Sequence, residues 1–338
     1  MLTLFWKICK KKFIYFLTIK RNHLEDNFSL SKIFRMEDSL FQFIKCKGES
    51  ISGVTSPWAY IGGLFSTFCW HYEDIWMYSV NFMHEGKGKT WYTIPTSHTT
   101  QFRALMRKKY AKELIDRKYL LTEVVITFCP LELIKEGIPV YKAYQSANEM
   151  IITFPGAYHT GFSNGYNVAE AVNLATPDWV EYAYMHQSLN RVENYVKRSC
   201  FSIEWIVIST MENFDTSNFS SQGKKVLIKA YLEILGKEMK HRRDLKRKLE
   251  DEKDDKFSCE VLEKNKLKYY DIACSECRYY IYLSYYVCKG CLGVWCPDHA
   301  GVECDCEEGT PSVLYCRESD EEIQKNYYYY KFIFPQKD

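Results

Sequence analysis

The chain has 338 residues, enough for two domains or for one large domain with an appendage. Lys plus Arg (45) nearly balance Asp plus Glu (43), leaving a formal charge of +2. That balance excludes a grip on nucleic acid through global charge and leaves only local basic runs to consider. Aromatics reach 16% and tyrosine alone occurs 27 times, which suits a strand-rich fold around an aromatic-lined cavity.

The N-terminal stretch MLTLFWKICKKKFIYFLTIKR is apolar but broken by Lys7, Lys10, Lys11 and Lys12. No apolar run in it reaches the ~20 residues of a membrane span, and it lacks the small-residue cleavage site of a secretory signal. The expectation is a soluble, intracellular protein with no membrane partner. Residues 1–52 form an N-terminal segment with one short helix expected near Glu37–Lys45. From Gly53 to Thr176 the texture changes to short β-rich runs between turn residues: Trp58–Ile61, Met77–Met83, Thr90–Ile94, Met150–Phe154 and Asn167–Leu174. Runs of this length and spacing predict a sandwich or barrel, interrupted by a helix over His98–Tyr119.

From Trp179 to Lys256 the periodicity turns helical, clearest over Ser188–Arg198 and Lys224–Lys253, with Asp215–Gly223 as a loop. The stretch Lys237–Lys256 mixes nine basic with seven acidic residues and reads as an exposed charged helix, with a nuclear signal or a nucleic-acid patch as alternatives.

The run FCWHYED sets His71 and Glu73 two residues apart in an extended segment, where side chains i and i+2 share a face. Two histidines and one carboxylate on one octahedral face select non-haem Fe(II) and leave three positions for cosubstrate and oxygen. The second histidine must come from a distant strand, and His159 in ITFPGAYHTGF follows such a run. An isolated His-x-Glu arises often by chance on surface strands. His84, His98 and His186 read as structural or exposed. The GKGK turn offers Lys87 and Lys89 equally as a cation for a carboxylate.

The 14 cysteines are uneven: six scatter before Cys274, and eight lie between Cys274 and Cys316. Their order is Cys274-x2-Cys277-x10-Cys288-x2-Cys291-x4-Cys296-x2-His299-x4-Cys304-x-Cys306, with Cys316 left over as an ordinary thiol. Eight ligands with paired Cys-x-x-Cys spacing make two closed, structural zinc sites rather than a disulfide framework. A cross-brace that joins Cys274, Cys277, Cys296 and His299 is the preferred pairing.

Two blocks, GVTSPWAYIGGLFSTFCWHYEDIWMYSVNFMHEGKGKTWYTIP and ITFPGAYHTGFSNGYNVAEAVNLAT, resemble the JmjC domain, in particular that of the JARID group of demethylases acting on lysine 4 of histone H3. The cysteine-rich stretch resembles the C5HC2 zinc finger that follows a helical segment in the same group. The resemblance implies a mainly β, double-stranded β-helix, a jelly-roll or cupin-like barrel over 53–178. A helical domain over 179–256, a C5HC2 finger over 257–318 and a tail over 319–338 would follow.

It also implies Fe(II) on His71, Glu73 and His159, with 2-oxoglutarate as cosubstrate. Lys89 would then meet the distal carboxylate and Asn81 would donate its amide, while Phe68, Ser79 and Trp91 wall the pocket and Asn173 lines it. Tyr60 would help hold a methylated ammonium near the iron, where a phenol and an aromatic face both suit a cation. The implied substrate is the methylated histone H3 tail, met in the nucleus within a chromatin-associated complex, with direct DNA contact left open. Two features depart from the pattern. No JmjN segment aligns to residues 1–52, where Tyr15 is a stand-in for an upstream tyrosine, and Ser163 occupies a position usually held by Asn. An inactive chromatin scaffold and a protein hydroxylase on the same barrel are the competing readings.

Overall fold

Short strands, several of them buried along nearly their whole length, build the first half of the protein, and amphipathic helices around a small sheet build the second. The computed structural model describes residues 17–20, 30–43, 51–117, 120, 123–192, 199–214, 218–251, 257–262, 272–299, 306 and 310–335. Tyr15 and Cys304 therefore lie outside the described residues. The chain divides into two compact units, Met1–Asn190 and Arg191–Asp338.

In the first unit, β1 (Leu17–Lys20), β2 (Trp58–Gly62), β4 (Tyr78–Gly86), β7 (Met150–Thr153) and β9 (Asn167–Leu174) form one sheet in the order β1-β2-β9-β4-β7. A second sheet, β3-β8-β5-β6, takes β3 (Thr67–His71), β5 (Lys89–Thr93), β6 (Tyr141–Gln145) and β8 (His159–Ser163). Every pairing in these two sheets is antiparallel. This is a jelly-roll-like fold, as expected, and closing two sheets on one another buries their inner faces. Trp70, Met77, Met83, Phe162 and Trp179 are among its most buried side chains.

The five β-rich runs all form strands, with ends within three residues of those expected. The helix expected over His98–Tyr119 breaks into α1 (Thr99–Lys109) and α2 (Glu113–Asp116). The apolar stripe that buries α1, Phe102 and Met106, does not continue beyond it. Near Glu37–Lys45 only a 3-10 turn, Leu40–Phe43, is present among the described residues. The unit also holds the short α3 (Leu131–Lys135). Trp179, Val180, Ala183, His186, Gln187 and Asn190 form the buried stripe of α4 (Trp179–Val192).

The second unit contains α5 (Ile203–Glu212), α6 (Ser221–Asp251), α7 (Asp320–Ile333) and a sheet ordered β10-β13-β11-β12. Its strands are β10 (Phe257–Val261), β11 (Ser284–Cys288), β12 (Val294–Trp295) and β13 (Ser312–Cys316). The helical segment expected from residue 179 begins in the first unit with α4, and its remaining helices share the second unit with the cysteine-rich stretch. Three further differences have local causes. The expected loop Asp215–Gly223 ends early, because the Ser220 hydroxyl caps α6 by accepting from the Gly223 N–H at 2.9 Å. The charged tail is the helix α7, opened by a capping box between Ser319 and Glu322. The charged stretch of α6 is not exposed all round. Glu238 and Arg242 are buried and pair at 2.6 Å, and Arg242 also reaches Asp320 at 3.1 Å.

No helix among the described residues is long and apolar enough to cross a membrane.

Candidate active site and metal centres

Antiparallel pairing of β3 with β8 sets His71 opposite His159, so register alone brings two histidines from distant parts of the chain together. Their rings lie 4.2 Å apart between centroids. Each ring is anchored in the same way: Nδ1 of His71 meets the Cys69 carbonyl at 2.7 Å, and Nδ1 of His159 meets the Ala157 carbonyl at 3.0 Å. A carbonyl only accepts, so Nδ1 carries the proton in both and Nε2 is the ligand-type nitrogen. Glu73 Oε1 stands 3.8 Å from His71 Nε2 and 3.4 Å from His159 Nε2. Its other oxygen accepts from the Asn173 amide at 2.8 Å. Burial would push the Glu73 carboxyl up, but His159 and His71 beside it, with the Asn173 bond, hold it down at about 2. Two imidazoles with Nε2 turned inward and a carboxylate on one side fit a divalent ion such as Fe(II).

The chain turns sharply after Glu73. Ile75 and Trp76 both have positive φ (50° and 51°), costly for a β-branched residue. The Trp179 indole donates to the Ile75 carbonyl at 2.9 Å and pins that turn.

A cavity of about 850 Å³ opens beside these ligands, with walls from both sheets. Tyr60, Phe68, Ser79, Asn81, Lys89 and Trp91, all singled out from the sequence, line it. Phe68 and Trp91 pack with centroids 4.5 Å apart. Gly161 makes room for that pair, since a Cβ there would stand 2.4 Å from the Phe68 ring. Ser79 contacts the Thr153 hydroxyl at 2.7 Å. Lys89 is 3% exposed, whereas Lys87 points outward, so burial separates two lysines that spacing left equivalent. Burial also brings the Lys89 ammonium down to about 8. Its Nζ lies 5.8 Å from the Tyr60 ring centre. Burial first, then the Glu73 charge, pushes the Tyr60 phenol up to about 12, so it stays protonated.

Asn173 differs from its expected place in the cosubstrate pocket. Its amide donates to Glu73 and, at 3.2 Å, to the Tyr78 carbonyl, so both N–H groups serve the protein itself. Ser163, paired in register with Lys89, is fully buried, and its hydroxyl has no partner among the described residues. Sequence reasoning missed Gln145 and Thr153, which bond to the cavity residues Trp91 and Ser79 and which no motif marks, and a further stretch of cavity wall that includes Tyr110, Arg117 and Val125.

In the second unit the cysteines gather as a cross-brace. Cys274, Cys277, Cys296 and His299 form one cluster, and Cys288, Cys291 and Cys306 form another. Thiolates on one tetrahedral zinc, each at ~2.3 Å, stand about 3.8 Å apart. Cys277 and Cys296 are 3.9 Å apart and Cys288 and Cys306 are 3.7 Å apart, so both clusters fit zinc. His299 turns Nδ1 inward, 3.1 Å from the Cys296 sulfur. Arg191 donates to that sulfur at 3.8 Å and also pairs with Asp298, which Lys237 and His241 approach at 3.1 and 3.3 Å. Cys316 is buried, 3.8 Å from the Cys259 sulfur and apart from both clusters.

Residues 58–174 match the family described as "JmjC domain, hydroxylase". The chain carries a JmjC domain. Residues 274–326 match the C5HC2 zinc finger. Among relatives, "Lysine-specific demethylase JMJ17" of Arabidopsis thaliana is 35% identical over 280 residues, covering 82% of this chain. "Lysine-specific demethylase 5B" of Gallus gallus is 43% identical over 162 residues, 48% of this chain. Those matches span 22% of the plant protein and 10% of the avian one. The JmjC match covers β2 to β9 and so includes every residue of the His–Glu–His cluster and its cavity strands.

Proposed function

We propose that the JmjC domain is an Fe(II)- and 2-oxoglutarate-dependent histone lysine demethylase acting on methylated lysine 4 of histone H3. The observation that carries this reading is the convergence, on one cavity, of the His71–Glu73–His159 cluster with the buried cation Lys89. Two relatives named as lysine-specific demethylases support the substrate class. A histone substrate implies work in the nucleus within a chromatin-associated complex.

Bound iron, with 2-oxoglutarate and dioxygen, would supply the oxidant that hydroxylates an N-methyl group, which then leaves as formaldehyde. The protein's side chains hold and orient. His71, Glu73 and His159 would ligate the ion through Nε2, Oε1 and Nε2, and Asn173 fixes which Glu73 oxygen faces it. Lys89 would pair with the distal carboxylate of the cosubstrate, and Asn81 would donate beside it. The Phe68–Trp91 pair excludes water from that wall. Tyr60, kept as a phenol, presents a ring and a hydroxyl to a methylated ammonium. In the second unit two zinc ions, held by Cys274, Cys277, Cys296 and His299 and by Cys288, Cys291, Cys304 and Cys306, would serve structure alone.

The test is mass spectrometry of trimethylated and dimethylated H3 peptides incubated with the protein, Fe(II), 2-oxoglutarate and ascorbate. Loss of methyl mass at lysine 4, absent without 2-oxoglutarate, is expected. Cosubstrate turnover without demethylation, with a gain of one oxygen on another peptide, would favour a hydroxylase.

A further inference from the structure

Gln145 ends the edge strand β6, is fully buried, and pairs in register with Lys89. Its side chain bridges the two sheets of the barrel. The Trp91 indole donates to Gln145 Oε1 at 2.9 Å. Gln145 Nε2 in turn faces three acceptors, the Asn81 carbonyl at 3.0 Å, the Glu149 carbonyl at 3.1 Å and the Asn81 side-chain oxygen at 3.1 Å, so one of its two N–H groups is shared between two of them.

This orientation follows from the chemistry of the partners. An indole N–H can only donate, so Gln145 must show it oxygen, and two backbone carbonyls can only accept, so they must meet nitrogen. The amide of Gln145 is thereby fixed at both ends. Its nitrogen then faces the Asn81 side chain, which must answer with Oδ1. The Asn81 NH2 is therefore turned away from Gln145, and Asn81 lines the cavity beside Lys89. No protein acceptor meets that NH2 among the described residues.

We propose that Gln145 is a positioning residue that fixes the Asn81 amide with its donor end toward the carboxylate of 2-oxoglutarate. The inference rests on reading this cavity as a 2-oxoglutarate site. With the Asn81 amide reversed, a carbonyl oxygen would face the anion, so a donor would be lost and a repulsive acceptor gained. Trp91 acts at the head of the relay: it walls the cavity with its ring and sets Gln145 with its N–H.

The experiment is calorimetric titration of 2-oxoglutarate into the full chain loaded with manganese in place of iron. Gln145→Met and Gln145→Glu should each weaken binding about tenfold or more, the scale of one hydrogen bond to a charged group. Asn81→Ala should weaken it similarly. Adding either Gln145 change to Asn81→Ala should cost nothing further, because both act through one donor. In turnover, KM for 2-oxoglutarate should rise in the Gln145 variants while kcat at saturation stays near that of the unsubstituted protein. Wild-type affinity in both Gln145 variants, or single effects that multiply in the double variants, would overturn the proposal. Should both variants fail to fold, the Asn81 side-chain amide of the unsubstituted protein still decides, by NMR. Its resonances must move on adding 2-oxoglutarate, and fixed resonances while the ligand binds refute the idea. No 2-oxoglutarate binding to the unsubstituted protein removes the cosubstrate reading and this proposal with it.

Discussion

The two units gather metal-ligating side chains by opposite routes. In the JmjC domain His71 and His159 meet only because β3 and β8 pair, over a core holding Trp70, Phe162 and Trp179. In the zinc finger the ligands come as closely spaced pairs within one short stretch of sequence. There the cysteines are themselves core: Cys274, Cys277, Cys288 and Cys296 are four of the eight buried residues in the cluster that also holds Tyr279, Ile281, Tyr285 and Trp295. A scaffold with its own apolar core precedes its metal. A module whose core is half cysteine needs the metal in order to fold.

That contrast is broken most directly by removing metal. Structural zinc contributes about 10–16 kcal/mol per site in small finger peptides, more than a module of this size has to spare. Cys274→Ser, or a zinc chelator, should therefore unfold the cysteine-rich module of the second unit, read by proteolysis around Trp295 and by loss of bound zinc from two ions per chain. The first unit should resist. Iron chelation there, or Glu73→Ala, should abolish turnover while the thermal midpoint shifts by only a few degrees. Unfolding of the JmjC domain on iron removal would erase the distinction.

A step smaller is the cosubstrate cation. Lys89→Ala would leave a carboxylate without its buried partner, a loss of roughly 3–5 kcal/mol, or more than a hundredfold in affinity for 2-oxoglutarate. Lys87→Ala, at an exposed position, should leave that affinity unchanged. Proton linkage gives a second readout. With its pKa brought down to about 8, free Lys89 is mostly neutral at pH 9. Pairing with a carboxylate favours the charged form, so binding at pH 9 should take up a proton, and affinity should fall as pH rises through about 8. Calorimetry in buffers of different ionisation heat measures that uptake, and Lys89→Ala should lack it.

The smallest effect concerns the zinc site's surroundings. Arg191 touches the Cys296 sulfur and Asp298 from a partly exposed position, so its charge is screened. Arg191→Ala should hasten zinc transfer to a chelator a few-fold, about 1 kcal/mol, without unfolding the unit. Unchanged release kinetics would show that the ligands alone set zinc retention.

Much of this was legible in one dimension. Short β-rich runs between turn residues exposed β2, β4, β5, β7 and β9, because β-branched and aromatic residues suit a pleated, buried strand and turn residues mark its ends. His-x-Glu exposed two of the three ligands of the iron-type cluster, and Cys-x-x-Cys both zinc sites, because ligands that close in sequence must share a face or a turn. The capping box before α7 was equally local, and was overlooked under the charge of the tail.

The rest depended on partners that sequence distance hides. Lys89 and Lys87 are alike in the GKGK turn, and only the packing of β5 between β8 and β6 buries one of them. Asn173 reads as a pocket donor until the fold sets Glu73 Oε2 and the Tyr78 carbonyl against both of its N–H groups. Arg242 and Glu238 read as solvated charge until helix packing shuts them in together. Gln145 belongs to no pattern, yet it is tied to Trp91 and Asn81, which lie 54 and 64 residues away along the chain. Local chemistry determined which groups could bind a metal or an anion. The pairing register and burial decided which of them do, because distance and desolvation are set by neighbours that the chain brings together only when it folds.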